Sequence, residues 1–152
     1  MASNRHLGRI VALQTLYEYE FRVECEDARV DVSEILKRNL ERYKETIGDQ
    51  EFVERLVNGV IKDTTVLDEI IQPIAPEWPV SQIARVDRMI LRMAIYELRQ
   101  LSDIVPPKVA INEAVELAKA FGSENSSKFV NGVLGTAHRT LIEESDNAPV
   151  KV

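Results

Sequence analysis

Residues 108–135 read KVAINEAVELAKAFGSENSSKFVNGVLG, and their periodicity decides the fold class. From Lys108 to Gly122 the apolar residues recur around most of a helical circumference. Only Asn112, Glu113, Glu116 and Lys119 form a narrow polar stripe. A helix apolar on nearly all sides is expected at the centre of a helical core, with Gly122 as its C-terminal cap. The next helix begins among three good capping residues, Ser123, Asn125 and Ser126. It sets Phe129, Val130, Val133, Leu134 and Ala137 on one side and Lys128, Asn131, Gly132 and Gly135 on the other. Each interior glycine costs about 1 kcal/mol relative to alanine, so something is expected to approach that backbone closely. Another helix is one occupant. A phosphate backbone at the helix start is the other, because free amides, the helix dipole and Lys128 all favour an anion there.

Working toward the N-terminus, Pro106-Pro107 separates this pair from a helix over about 81–101, for which Ser81 is the expected cap. Projection at about 100° per residue places Ile83, Val86, Ile90, Ala94, Leu98 and Leu101 on a buried arc. Arg85, Arg88, Arg92 and Arg99 fall opposite, flanked by Met89 and Tyr96. They read as a solvated face paired with acids of neighbouring helices, or else as a basic strip for phosphate. Glu97 falls inside the apolar arc and must be held by a partner, since a buried lone carboxylate costs several kcal/mol.

The proline-rich segment PIAPEWPV, residues 73–80, reads as a joint. Before it stand three further helical segments. The first, about Asn4 to Val23, carries Leu7, Ile10, Val11, Gln14, Tyr17 and Phe21 on its expected core face. The second follows Ser33, and the third starts near Asp49 and runs through Phe52, Val53, Leu56, Val60, Leu67, Ile70 and Ile71. No stretch alternates as a strand would. The expectation is an all-α protein of two packed three-helix bundles, residues 1–80 and 81–145, with a flexible tail over 146–152.

The 152 residues carry a net charge of −6, which argues against gripping nucleic acid by bulk charge. RNA binding would need a local cluster or a basic partner. Arg5, His6 and Arg9 form a weak basic cluster that by itself reads as a solvated face. No apolar run is long enough to span a bilayer, and the start reads as a mature helix, not a signal peptide. A single cysteine, Cys25 among acids, fits a reducing cytoplasm. No phosphate loop, metal-ligand spacing or nucleophile–base pair is present, so an adaptor is expected, not an enzyme, with no cofactor and no metal.

KVAINEAVELAKAFG and SSKFVNGVL resemble the C-terminal signature of the NusB family. VDRMILRMAIYEL, residues 86–98, resembles the preceding helix of that family, and ALQTLYEYEF, residues 12–21, its first helix. The resemblance implies two three-helix bundles and binding of boxA RNA jointly with NusE, a ribosomal small-subunit protein, in the RNA polymerase antitermination complex. It places RNA at Arg5, His6, Arg9, Asn125, Ser126, Lys128 and Phe129, with Phe129 stacking on a base although the helical projection buries it. It places NusE at Tyr17, Phe21 and Asp87, the acid suiting a basic partner. Leu7 and Gly8 interrupt the arginine run common in the family, and Asn125 stands where some relatives have an acid.

Two other readings stand beside this one. An rRNA 5-methylcytosine methyltransferase carries a similar N-terminal domain, but it needs catalytic cysteines and a second domain, so it fits only if this sequence is a fragment. A helical interaction module, monomer or homodimer, would use Leu16 and Tyr19 as exposed contacts on the first helix.

Overall fold

The computed structural model describes residues 4–75, 77 and 79–146, and every element among them is helical. The helices are α1 (Arg5–Glu24), α2 (Val32–Tyr43), α3 (Gln50–Ile74), α4 (Arg85–Gln100), α5 (Pro107–Phe121) and α6 (Ser126–Asp146), with a 3-10 turn at Val80–Gln82. The all-α expectation holds. The chain divides into two compact units, Met1–Thr64 and Thr65–Val152. That division falls inside α3, upstream of the proline-rich stretch read as the joint. α3 continues through Pro73 in its last turn, where the Ala75 amide still reaches the Ile71 carbonyl at 3.0 Å. A proline this close to the end displaces few helical hydrogen bonds. Most of the expected tail, residues 147–152, lies outside the described residues.

In the first unit Asn4 caps α1 by accepting from the Leu7 amide, and Asp49 accepts from the Phe52 amide at the start of α3. Asp31, not Ser33, caps α2: its carboxylate accepts from the Ser33 amide at 2.9 Å. The core gathers Val11, Ala12, Leu13 and Leu16 of α1, Ile35, Leu36 and Leu40 of α2, and Phe52, Val53, Leu56, Val57 and Val60 of α3. The expected face of α1 is therefore corrected. Val11 is buried, but Gln14, Tyr17 and Phe21 point outward, while Leu16, expected to be exposed, is core. The true inner face mixes Gly8, Ala12 and Thr15 with Leu13 and Leu16. At Gly8 an added Cβ would stand 3.0 Å from a methyl of Val53. Thr15 lies within the core, donating to the Val11 carbonyl at 2.8 Å and accepting from the Asn39 amide at 3.0 Å. Both side chains are buried and satisfied, as buried polar groups must be.

In the second unit α4, α5 and α6 pack on one another. The central helix is α4, not α5. Residues Asp87–Ile95 of α4 are buried without interruption, together with Glu97 and Leu98. α5 buries only Ala110, Ala114, Leu117 and Ala118, and leaves Val109 and Phe121 exposed. Of the four arginines that made α4 look two-sided, Arg88 and Arg92 are inside, and Arg85 and Arg99 are half-buried. Arg92 grips Asp68 of α3 with two hydrogen bonds of 2.8 and 2.7 Å. Arg88 donates to the carbonyls of Ser81 and Ile83 at 2.8 and 3.0 Å. These targets are backbone oxygens of the 3-10 turn and the residue after it. Ser81 caps nothing: it lies in the 3-10 turn, and α4 starts after Ala84 without a side-chain cap. Glu97 is buried as the projection required.

Replacing Asp68 with alanine leaves the buried Arg92 guanidinium without its counter-charge. Fully buried pairs lose about 3–5 kcal/mol when broken; because Asp68 is partly solvated, roughly 2–4 kcal/mol is expected from urea unfolding. Lys119→Ala, at an exposed pair with Glu116, should stay within about 0.5 kcal/mol. Equal small losses at both sites would show that the Arg92 pair does not hold the unit together.

Candidate nucleic-acid interface

The turn between α5 and α6 is built on a close contact. Gly122 is extended (φ −89°, ψ −170°), so no left-handed geometry calls for glycine here. A Cβ would instead sit 2.5 Å from Cβ and Oγ of Ser126 and 2.7 Å from the Ala118 carbonyl. The Ser126 hydroxyl accepts from the Ser123 amide at 2.8 Å and lies 3.1 Å from the Ser123 hydroxyl. Ser126 is only 2% exposed. Expected among the RNA contacts, its side chain is occupied inside the turn, where it fixes how α6 begins. Asn125 is exposed, and its carbonyl accepts from the Phe129 amide, opening the helix.

One turn on, Lys128 and Phe129 line a groove of about 400 Å³ in the second unit. The end of α3 and the segment after it supply Ile74, Ala75, Glu77 and Ile83, and α6 supplies Lys128, Phe129, Gly132, Val133 and Thr136. Phe129 is half-buried, which reconciles the helical projection with an accessible ring. The Lys128 ammonium is exposed and makes no hydrogen bond or ion pair among the described residues. The non-helical part of the groove is pinned at two points. Gln72 accepts from the Val80 amide at 2.9 Å, and Arg88 holds the Ser81 and Ile83 carbonyls. Sequence reasoning missed Ile74, Ala75, Glu77 and Ile83 as a lining. Their apolar members between prolines were the available signal, read only as a joint.

The N-terminal cluster lies in the first unit and is not a solvated face. The guanidinium carbons of Arg5 and Arg9 stand 5.2 and 5.1 Å from the centre of the Phe52 ring, within cation–π range. Arg5 also pairs with Asp49 at 3.3 Å, and Arg9 is 3% exposed. His6 is exposed. Of the residues expected to meet a protein partner, Tyr17 and Phe21 are 41% and 49% exposed, one turn apart on α1. Asp87 is largely buried in the second unit, and its Oδ1 has no hydrogen-bond partner.

No group of three or more His, Cys, Asp or Glu among the described residues could hold a metal ion, and no described helix is long and apolar enough to cross a membrane. The described elements define an all-helical protein with candidate binding surfaces. The NusB family model matches residues 6–139, and the chain belongs to that family. It is 42% identical over 146 residues to transcription antitermination protein NusB of Dehalococcoides mccartyi strain CBDB1, covering 96% of this chain and 97% of that one. To the protein of the same name from Roseiflexus castenholzii it is 47% identical, covering 95% and 99%. Among solved structures, T. maritima NusB superposes with a TM-score of 0.80 at 32% identity, over 91% of this chain and 93% of that one. The NusB chain of a complex of antitermination factors NusB and NusE with dsRNA gives 0.76 at 26% identity, over 90% and 96%.

Gly122→Ala is expected to lower stability by about 1–3 kcal/mol, the usual cost of forcing atoms into a filled site. In thermal unfolding, Ser126→Gly on that background should recover part of the loss, giving a clearly non-additive double-mutant cycle. Strict additivity would show that the Gly122–Ser126 contact is not the cause.

Proposed function

We propose that this chain is an RNA-binding adaptor of transcription antitermination. It binds the boxA element of rRNA operon leaders jointly with NusE, and acts within the antitermination complex of RNA polymerase in the cytoplasm. The observation that carries this reading is the α6 groove: a half-exposed phenylalanine in an apolar trough, beside an unpaired lysine. An aromatic face takes a base of any identity for about 1–3 kcal/mol, and the lysine takes the adjoining phosphate. Asn125 offers an exposed amide next to both. A solved relative bound with NusE and dsRNA supports the same assignment.

The N-terminal residues take different parts in this reading. Arg5, paired with Asp49 and set over Phe52, and the exposed His6 would stand at the edge of the RNA surface, whereas Arg9, 5.1 Å from the centre of the Phe52 ring, supports it from within. Tyr17 and Phe21 form the apolar face offered to NusE. The unsatisfied Asp87 oxygen suits a donor from that basic protein, because a buried acceptor without a partner is costly. The methyltransferase alternative gains nothing from the relatives described, which are antitermination proteins spanned almost end to end.

Titration of boxA RNA across a salt series tests the proposal. The chain alone should bind weakly and lose affinity steeply with salt, and NusE should raise affinity by roughly tenfold or more. Lys128→Ala should weaken binding and shallow the salt slope by about one unit, with stability unchanged within about 0.5 kcal/mol. A folded protein that binds no RNA in either condition defeats the assignment.

A further inference from the structure

Gly132 lies on α6 within the groove, one turn after Lys128 and one before Thr136. Glycine is the poorest helix former after proline, so an interior helical glycine asks for a reason. Close packing is one, and Gly8 and Gly122 both show it in this chain. Gly132 shows the opposite. Among the described residues a Cβ built there meets no atom within 4 Å, the residue is exposed, and no described glycine has a positive φ. Neither packing nor backbone geometry among the described residues requires glycine at this position.

We infer that Gly132 is kept bare for a nucleotide of the bound RNA, which seats its base directly on the α6 backbone beside the Phe129 ring. This rests on the groove being the RNA site. Lacking a side chain, the helix surface is recessed between Lys128 and Thr136, in the middle of a trough of about 400 Å³, a size typical of small-ligand sites. Ile83, Phe129 and Val133 make the lining apolar, which suits the flat face of a base and not a phosphate. The phosphate falls to Lys128, whose ammonium has no internal partner. The glycine thus gives up helix stability for contact with the ligand.

The prediction sets stability and binding in opposite directions, measured on the full chain with NusE present. Gly132→Ala should melt about 2–5 °C higher than the parent yet bind boxA RNA roughly tenfold or more weakly. Gly132→Met should bind more weakly still. Asn112→Ala, an exposed helical substitution on α5 remote from the groove lining, should leave RNA affinity unchanged. Affinity for NusE without RNA should be the same for Gly132→Ala and the parent. If Gly132→Ala binds RNA like the parent while Lys128→Ala does not, this inference fails and the RNA assignment stands. A lower melting temperature would make the glycine a requirement of the fold, and weakened NusE binding without RNA would make the occupant protein; either overturns the inference. If the parent binds no RNA, both readings fall together.

Discussion

The second unit depends on how two buried guanidinium groups are satisfied. Arg88 and Arg92 lie on α4, inside the unit, where an unpaired charge costs several kcal/mol. Each is matched to a different element. Arg92 takes the carboxylate of Asp68 with two near-parallel hydrogen bonds, and so fixes the last turns of α3 against α4. Arg88 takes the backbone carbonyls of Ser81 and Ile83, and so ties the 3-10 turn and the residue after it to α4. Together these contacts place Ile74 and Ile83, which line the groove. The geometry of the proposed RNA site is thus set by charges that never reach the surface.

The α6 portion of the groove is fixed by a neutral device. Ser126 folds its hydroxyl into the turn and fills the space a Gly122 side chain would need. That contact sets where α6 starts, and through it where Lys128 and Phe129 stand. Ser126 therefore belongs to the site as a shaping residue, not as a contact. The two devices are independent, one ionic and one steric.

The fold class and most helices were legible because long amphipathic segments state their own period. The errors have physical causes. On α1 Leu7, Ile10, Tyr17 and Phe21 suggested the core face, but the buried side is set by Leu13 and Leu16 with small residues between them. Gly8, Ala12 and Thr15 let the helix approach its neighbours, and Tyr17 and Phe21 were left outside. On α4 four arginines suggested a wet face, yet Arg88 and Arg92 are buried, because a sequence does not show that Asp68 and two carbonyls lie within reach. α5 looked central because small apolar residues occupy nearly all of its circumference, though only one side of it is covered. In the candidate site, Lys128 and Gly132 were visible as chemical oddities on a helix. The lining by Ile74, Ala75, Glu77 and Ile83 was not, because it depends on the buried arginine that holds this stretch.

The acidic balance of the chain takes on a different meaning once the arginines are located. Arg9, Arg88 and Arg92 are buried, and Arg5 is tied to Asp49 and Phe52. Asp87 and Glu97 are buried as well, so the surface stays acidic, near the net charge of −6. At physiological salt, charges beyond a Debye length of about 8 Å are largely screened. An approaching phosphate then responds to the local field of Lys128 and the start of α6, not to the whole molecule. So few local cations can orient a strand, but they release few counterions and supply little affinity. An acidic adaptor built this way gains most from a second, basic protein. The exposed Tyr17 and Phe21 give such a partner apolar area to bury without drawing on the few cations left for RNA.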